Sequence, residues 1–104
     1  MSSYQVVTVF AIYQAGDIVS GGSFGVGKEP RFYDFPSSDG GYFRFQSSYS
    51  ESNCLVNVRN IKDGKETCSS HLNAPINRTK KKFKETMLGE NYKLFYRSCF
   101  EKVA

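Results

Sequence analysis

The sequence predicts a mostly antiparallel β domain whose opening segment is either a helix packed on the sheet, which gives an α+β fold, or a further strand, which gives an all-β sandwich. Three segments lead to this prediction. Residues 4–13 carry apolar side chains at helical spacing, residues 42–47 alternate aromatic and polar residues as a strand does, and residues 62–65 have the composition of a hairpin turn. The 104 residues, 39% of them hydrophobic, suffice for one core, so we expect a single domain over 1–104.

The opening segment fits two secondary structures. One helical face would hold Val6, Val9, Phe10 and Tyr13. The β-branched residues of VVTV favour a strand instead, because branching at Cβ suits the extended backbone. The glycines and serines of residues 16–27 that follow predict a loop or a loose hairpin without a phosphate-binding pattern.

The middle of the chain is predicted to form strands. Residues 31–35 form a short aromatic strand or turn, and residues 42–47 form a half-buried strand with Phe43 and Phe45 on one face. Residues 54–59 and 66–71 are expected to form a hairpin around Asp63-Gly64.

The last third of the chain is predicted to contain a short helix and a closing strand. Thr79 could cap a helix that runs to Leu88, with Phe83 and Met87 pointing inward. Residues 92–100 alternate apolar and charged residues, as a strand at the edge of a core does.

Positive charge is concentrated in one stretch. The net charge is +4 and the pI is about 9.0, which permits a polyanionic partner but falls short of a dedicated nucleic-acid binder. Candidate contacts to RNA or to another partner are Arg78, Lys80, Lys81, Lys82 and Lys84. The competing interpretation is a solvated helix face, so we expect RNA binding to be weak.

Catalytic and metal-binding groups are scarce. General acid–base catalysis needs two titratable groups around the reacting centre, and His71 is the only histidine. Three cysteines without CxxC spacing and one histidine do not suggest a zinc site. We therefore expect no enzymatic activity, no cofactor and no metal.

The three cysteines permit at most one internal disulfide. A two-residue turn at Asp63-Gly64 would place Cys68 opposite Arg59, which disfavours pairing of Cys68 with Cys54. This leaves Cys99 paired with Cys54 or with Cys68. A glycosylation sequon at residues 77–79 fits export, and no apolar run long enough to span a membrane and no leader are present, so we expect a soluble, mature secreted protein.

The order of the segments EPRFYDF, GGYFRFQSS and CLVNVRNIKDGKETCSSH resembles that of the small fungal ribonucleases of the T1/F1 type. The resemblance places Arg31 where that family has its first catalytic histidine and Arg44 where it has the catalytic glutamate. Leu55 falls in the segment that replaces the Arg-Val-Val strand, and His71 falls at the second histidine. The resemblance thus implies a ribonuclease T1-like α+β fold, in which one N-terminal helix packs on a curved antiparallel sheet. It also implies a degenerate, inactive site.

A ribonuclease scaffold without its catalytic groups resembles the RNase-like effectors of powdery mildew fungi. This resemblance implies a secreted virulence or avirulence effector that acts in the host cytoplasm as a monomer. Implied partners are host plant proteins, among them a leucine-rich-repeat immune receptor. In that family a cysteine near the mature start pairs with one at the position of Cys99.

Three alternatives remain. The first is an effector of the six-stranded all-β MAX type, in which residues 4–13 form a strand. The second is an active guanyl-type ribonuclease that uses His71 with Glu66 or Glu29. The third is an RNA-binding module on residues 78–84.

Overall fold

The protein consists of two antiparallel β-sheets packed against each other, as seen in a computed structural model that describes residues 3–76 and 82–103. Eight strands are present in this part of the chain: β1 (Ser3–Gln14), β2 (Asp17–Val26), β3 (Arg31–Pro36), β4 (Tyr42–Ser50), β5 (Asn53–Lys62), β6 (Lys65–Pro75), β7 (Lys84–Leu88) and β8 (Tyr92–Val103). The first sheet has the order β2-β1-β8-β7 and the second the order β3-β4-β5-β6.

The predicted N-terminal helix is wrong, because residues 3–14 form β1, the strand between β2 and β8. Residues four apart lie on one face of a helix and also on one face of a strand, since four is a multiple of the strand period. Val6 and Phe10 are buried in the core, whereas Val9 and Tyr13 are half-buried on the opposite face. Apolar residues on both faces of a central strand therefore produced the helical spacing.

The ribonuclease T1-like α+β fold is wrong for the same reason, and the all-β alternative fits. The described residues form eight strands, not the six of the MAX type, and residues 17–26, expected to form a loop or a loose hairpin, are strand β2. The second predicted helix is also wrong where the structure describes it, because residues 84–88 form β7. Phe83 and Met87, expected to point inward, are 43% and 50% exposed. The predicted cap Thr79 lies outside the described residues.

The core lies between the two sheets and is rich in aromatic rings. Phe43 and Phe45 alternate with half-buried residues along β4, so they face the first sheet, as the sequence predicts. The ring of Phe45 lies 4.3 Å from that of Phe10 and 5.8 Å from that of Phe35. These ring contacts hold one sheet against the other.

The β5–β6 hairpin confirms the predicted turn. Lys62 pairs with Lys65, and the two residues between them have positive φ, 53° at Asp63 and 74° at Gly64. This backbone conformation matches the twist of the flanking strands. An irregularity next to Asn60 shifts the register by one residue, so Cys68 pairs with Asn60 and not with Arg59 as expected.

The loop between β3 and β4 is tied to the first sheet by Asp39. Its carboxylate accepts hydrogen bonds from the hydroxyl of Ser37 and from that of Tyr92 on β8, the latter at 2.5 Å. Partial burial alone would raise the pKa of Asp39. The hydrogen bonds from Ser37 and Tyr92, together with the charge of Lys62, lower this pKa below its ordinary value of 3.8.

The lowered pKa of Asp39 predicts an acid-sensitive contribution to stability. A carboxyl whose pKa is lower in the folded chain stabilises the fold fully above its unfolded pKa, and this contribution is lost as the pH falls through the folded value. We expect Asp39→Asn to lower the free energy of unfolding by about 1 kcal/mol near pH 7, and this difference to shrink as the pH falls below 3.8 through the lowered pKa of the folded state. Urea unfolding across this pH range measures it. Asp17→Asn, at an exposed carboxyl, is the control, and an equal pH-dependent loss there would contradict the assignment.

Candidate interaction face

The outer face of the second sheet carries exposed aromatic and charged side chains. The inward residues of β4 and β5 alternate with outward ones, and β3 follows β4 in register. We define the aromatic–arginine face by four outward residues of β3 and β4, namely Phe32, Asp34, Tyr42 and Arg44.

Arg44 is held in place by Asp34, its direct partner in the register of β3 and β4. The guanidinium Nε lies 2.8 Å from Oδ1 and Nη2 lies 3.0 Å from Oδ2, so the two groups form a bidentate pair. The hydrogen bond from Arg44 lowers the pKa of Asp34, which therefore stays ionised at neutral pH. The pair fixes the direction of a side chain that would otherwise be mobile.

The guanidinium of Arg44 lies over two aromatic rings. Its Cζ is 5.3 Å from the ring centre of Phe32 and 5.6 Å from that of Tyr42, within the range of cation–π contacts. Phe32 is 57% exposed, although a phenylalanine usually contributes to stability by being buried. An exposed aromatic ring next to a fixed arginine is therefore the central feature of this face.

Around Gln46 and Asn57, the outer side of this sheet is polar and uncharged. Leu55 on β5 is 47% exposed. It borders a shallow groove of about 180 Å³ that is also lined by Pro30, Gln46 and Asn57. His71 on β6 is exposed and pairs with Asn57. The groove thus offers amide groups and two apolar side chains next to the aromatic–arginine face.

Three of the four positions that the resemblance assigned to a degenerate site lie on the outer face of the second sheet. Arg44, Leu55 and His71 point outward from β4, β5 and β6. Arg44 is two strands and two register positions away from His71, which corresponds to roughly 12 Å between their Cα atoms. Its guanidinium also points toward Asp34 on β3, away from β6.

Arg31 is not part of this group. It pairs with Ser47, which is buried on the inner side of β4. Arg31 borders a different cleft of about 490 Å³ at one end of the molecule, together with Gln5, Lys28 and Tyr33. The structure therefore separates the two residues that stand in the positions of the ribonuclease's first histidine and glutamate.

Two of the predicted cysteines lie on different sheets, Cys54 on β5 and Cys99 on β8. Cys54 is a free thiol in the core, where its sulfur lies 3.6 Å from the hydroxyl of Ser47. Cys99 is 1% exposed and pairs with Val7 on the first sheet. The proposed bond between Cys54 and Cys99 is thus not formed, and the side chain of Cys68 lies outside the described residues.

The predicted basic contacts are only partly described. Lys82 and Lys84 are exposed just before and at the start of β7, whereas Arg78, Lys80 and Lys81 lie outside the described residues. Phe32 and Tyr42 were not predicted from the sequence as surface residues. Tyr42 could have been found, since it has the same strand parity as Arg44 and the opposite parity to Phe43.

Among residues 3–76 and 82–103, no group of three or more His, Cys, Asp or Glu side chains is close enough together to hold a metal ion. No helix suited to crossing a membrane occurs in the same part of the chain. Comparison of the chain with known protein families, with curated proteins and with solved structures finds no match.

Proposed function

We propose that this protein is a non-catalytic binding protein of the effector type that contacts host proteins through the aromatic–arginine face. The observation that carries the proposal is the exposed ring of Phe32 beneath an arginine that Asp34 holds in place. An immune receptor is one partner of this kind. The face binds its partner and catalyses no reaction.

The composition of the aromatic–arginine face supports a protein partner. Aromatic residues and arginine are enriched at protein interfaces and contribute most of the binding free energy at a few positions. The bidentate pair with Asp34 already restricts Arg44, so less side-chain entropy is lost when a partner binds. Leu55, 47% exposed on the neighbouring strand, adds apolar area to the same surface.

The charge of the aromatic–arginine face favours a protein as partner over the phosphate backbone of a nucleic acid. Arg44 is paired with Asp34, and Nε of Arg59 lies 3.5 Å from a carboxylate oxygen of Glu66. Arg44 and its neighbour Arg59 on the outer side of β5 therefore each have a carboxylate partner, and little uncompensated positive charge remains there for phosphates. Such a balanced surface suits a partner of mixed charge.

The position of His71 supports a role without catalysis. A base and an acid must both reach the reacting atoms. His71 is exposed beside Asn57, and the guanidinium of Arg44 points toward β3. The residue directly opposite His71 is Asn57, whose amide does not take up a proton at neutral pH.

Capture from nuclease-treated plant leaf extract tests the proposal. The wild-type protein and the variants Phe32→Ala and Arg44→Ala are immobilised, and the retained proteins are quantified by mass spectrometry. We expect one or a few proteins to be retained by the wild type and reduced at least tenfold by each variant, as for interface residues of large effect.

Phe83→Ala is the matched control, because it removes another exposed phenylalanine that lies under an arginine, on the first sheet. We expect it to retain the same proteins as the wild type. Equal retention by all variants would contradict the assignment of the face. Cleavage of total RNA that His71→Ala abolishes would contradict the non-catalytic part.

A further inference from the structure

A second arginine–phenylalanine pair lies on the first sheet. The Cζ of Arg97 on β8 is 5.1 Å from the ring centre of Phe83, which immediately precedes β7. Phe83 is 43% exposed, so much of its ring remains accessible to a ligand. This pair has the same chemistry as Arg44 and Phe32 but a different electrostatic surrounding.

The surrounding charge is positive. Lys82 and Lys84 flank Phe83 in the chain, and both are exposed. The nearest acidic residue on β7 is Glu85, and its carboxylate lies 3.0 Å from Nζ of Lys93. Lys84 pairs with the buried Tyr96, so it leaves β7 on the side opposite to Phe83. Because β7 is the edge strand and both lysines are chain neighbours of Phe83, they still lie within a Debye length of the ring and contribute to the potential there at physiological salt.

Further rings continue along the outer face of this sheet. Phe95 lies two residues before Arg97 on β8, and its ring is 5.2 Å from that of Tyr13 in an edge-to-face arrangement. Arg97 pairs with Val9 of β1, which is half-buried on the same face. Ring faces and cations thus alternate along β8, with Lys93, Phe95 and Arg97 at successive outward positions.

We propose that this surface, centred on Phe83 and Arg97, binds single-stranded nucleic acid. A base would stack on the open part of the Phe83 ring, and the nucleic-acid backbone would cross the edge strand β7 so that its phosphates approach Lys82 and Lys84. Stacking on aromatic rings within a positive groove is how proteins bind single strands without reading their sequence. This site and its ligand are distinct from the aromatic–arginine face, so the two proposals can fail separately.

Fluorescence anisotropy with a fluorescein-labelled oligouridine of about 12 nucleotides tests the proposal, because this length covers the usual site size. Affinity is measured from about 50 to 200 mM salt, where counterion release makes it fall steeply. We expect Lys82→Ala/Lys84→Ala to reduce the slope of log affinity against log salt by about 1.4, which corresponds to two phosphate contacts. Phe83→Ala should weaken binding roughly five- to hundredfold at constant salt.

Lys62→Ala/Lys65→Ala is the matched control, because it removes two lysines from the β5–β6 hairpin of the other sheet and lowers the net charge equally. We expect its affinity and slope to match those of the wild type, as should those of Phe32→Ala. Absence of binding at the lowest salt would overturn the proposal. Equal losses from both lysine pairs, or an unchanged affinity for Phe83→Ala, would also overturn it, since either result means unspecific attraction of a polyanion to a basic protein.

Discussion

Replacing Phe45 by alanine is expected to lower the free energy of unfolding by roughly 3–5 kcal/mol, the cost of removing a fully buried phenylalanine from a packed core. Phe45 is 0% exposed. Its ring contacts aromatic side chains from both sheets, at 4.3 Å from Phe10, 5.4 Å from Phe24 and 5.8 Å from Phe35. The variant therefore loses apolar burial and leaves a cavity at the contact that joins the sheets.

Chemical unfolding followed by circular dichroism measures this loss, with Phe32→Ala as the control. Phe32 is also a phenylalanine of the second sheet, but it is 57% exposed, so its removal should change the free energy of unfolding by about 0.5 kcal/mol or less. Similar losses for the two variants would mean that the sheets do not pack through Phe45. Loss of partner capture in Phe32→Ala at unchanged stability would separate binding from folding.

Strands in which apolar and polar residues alternate strictly could be predicted from the sequence. Strand β1 of the first sheet could not. In β4, Phe43 and Phe45 alternate with polar or half-exposed residues, so the period is unambiguous. In β1 both faces are covered by apolar residues, and the pattern no longer distinguishes a period of 2 from one of 3.6. The three-dimensional environment of β1, which has strands on both sides, decides between the two.

The candidate site could not be predicted from the sequence, because its residues come together only through the pairing of two strands. Asp34 and Arg44 are ten positions apart and meet only because β3 and β4 pair in one register. A shift of one residue would move Asp34 opposite a buried phenylalanine and would exchange the faces of the strand. The irregularity next to Asn60 shows how such shifts arise, since it moved the partner of Cys68 by one position.

The two arginine–phenylalanine pairs have the same ring chemistry, so the charge around each pair distinguishes the two proposed partners. Arg44 has a carboxylate partner at 2.8 Å, whereas the segment of Phe83 carries two exposed lysines. A polyanion is attracted to the lysines beside Phe83, and it is not attracted to the compensated Arg44. The prediction of weak RNA binding from the basic run and the prediction of protein binding therefore apply to different sheets.

Replacing Gly41 by alanine is expected to lower the free energy of unfolding by about 3 kcal/mol, from backbone strain and overpacking together. Gly41 has φ of 75°, a conformation in which other residues are strained. A Cβ at this position would lie 2.2 Å from the carbonyl oxygen of Ile61 and 2.9 Å from Cα of Lys62. Because these are backbone atoms, relief requires that β4 and β5 separate where Tyr42 pairs with Ile61.

Gly64→Ala separates the two contributions, since Gly64 has φ of 74° but a Cβ there would meet nothing within 4 Å. Its loss should be about 1 kcal/mol, from the strained backbone alone. The difference between the variants, measured by urea unfolding under identical conditions, reports the clash with β5. If Gly41→Ala costs no more than Gly64→Ala, the close approach of residue 41 to β5 is wrong, and with it the geometry that holds the loop of Asp39 against Tyr92.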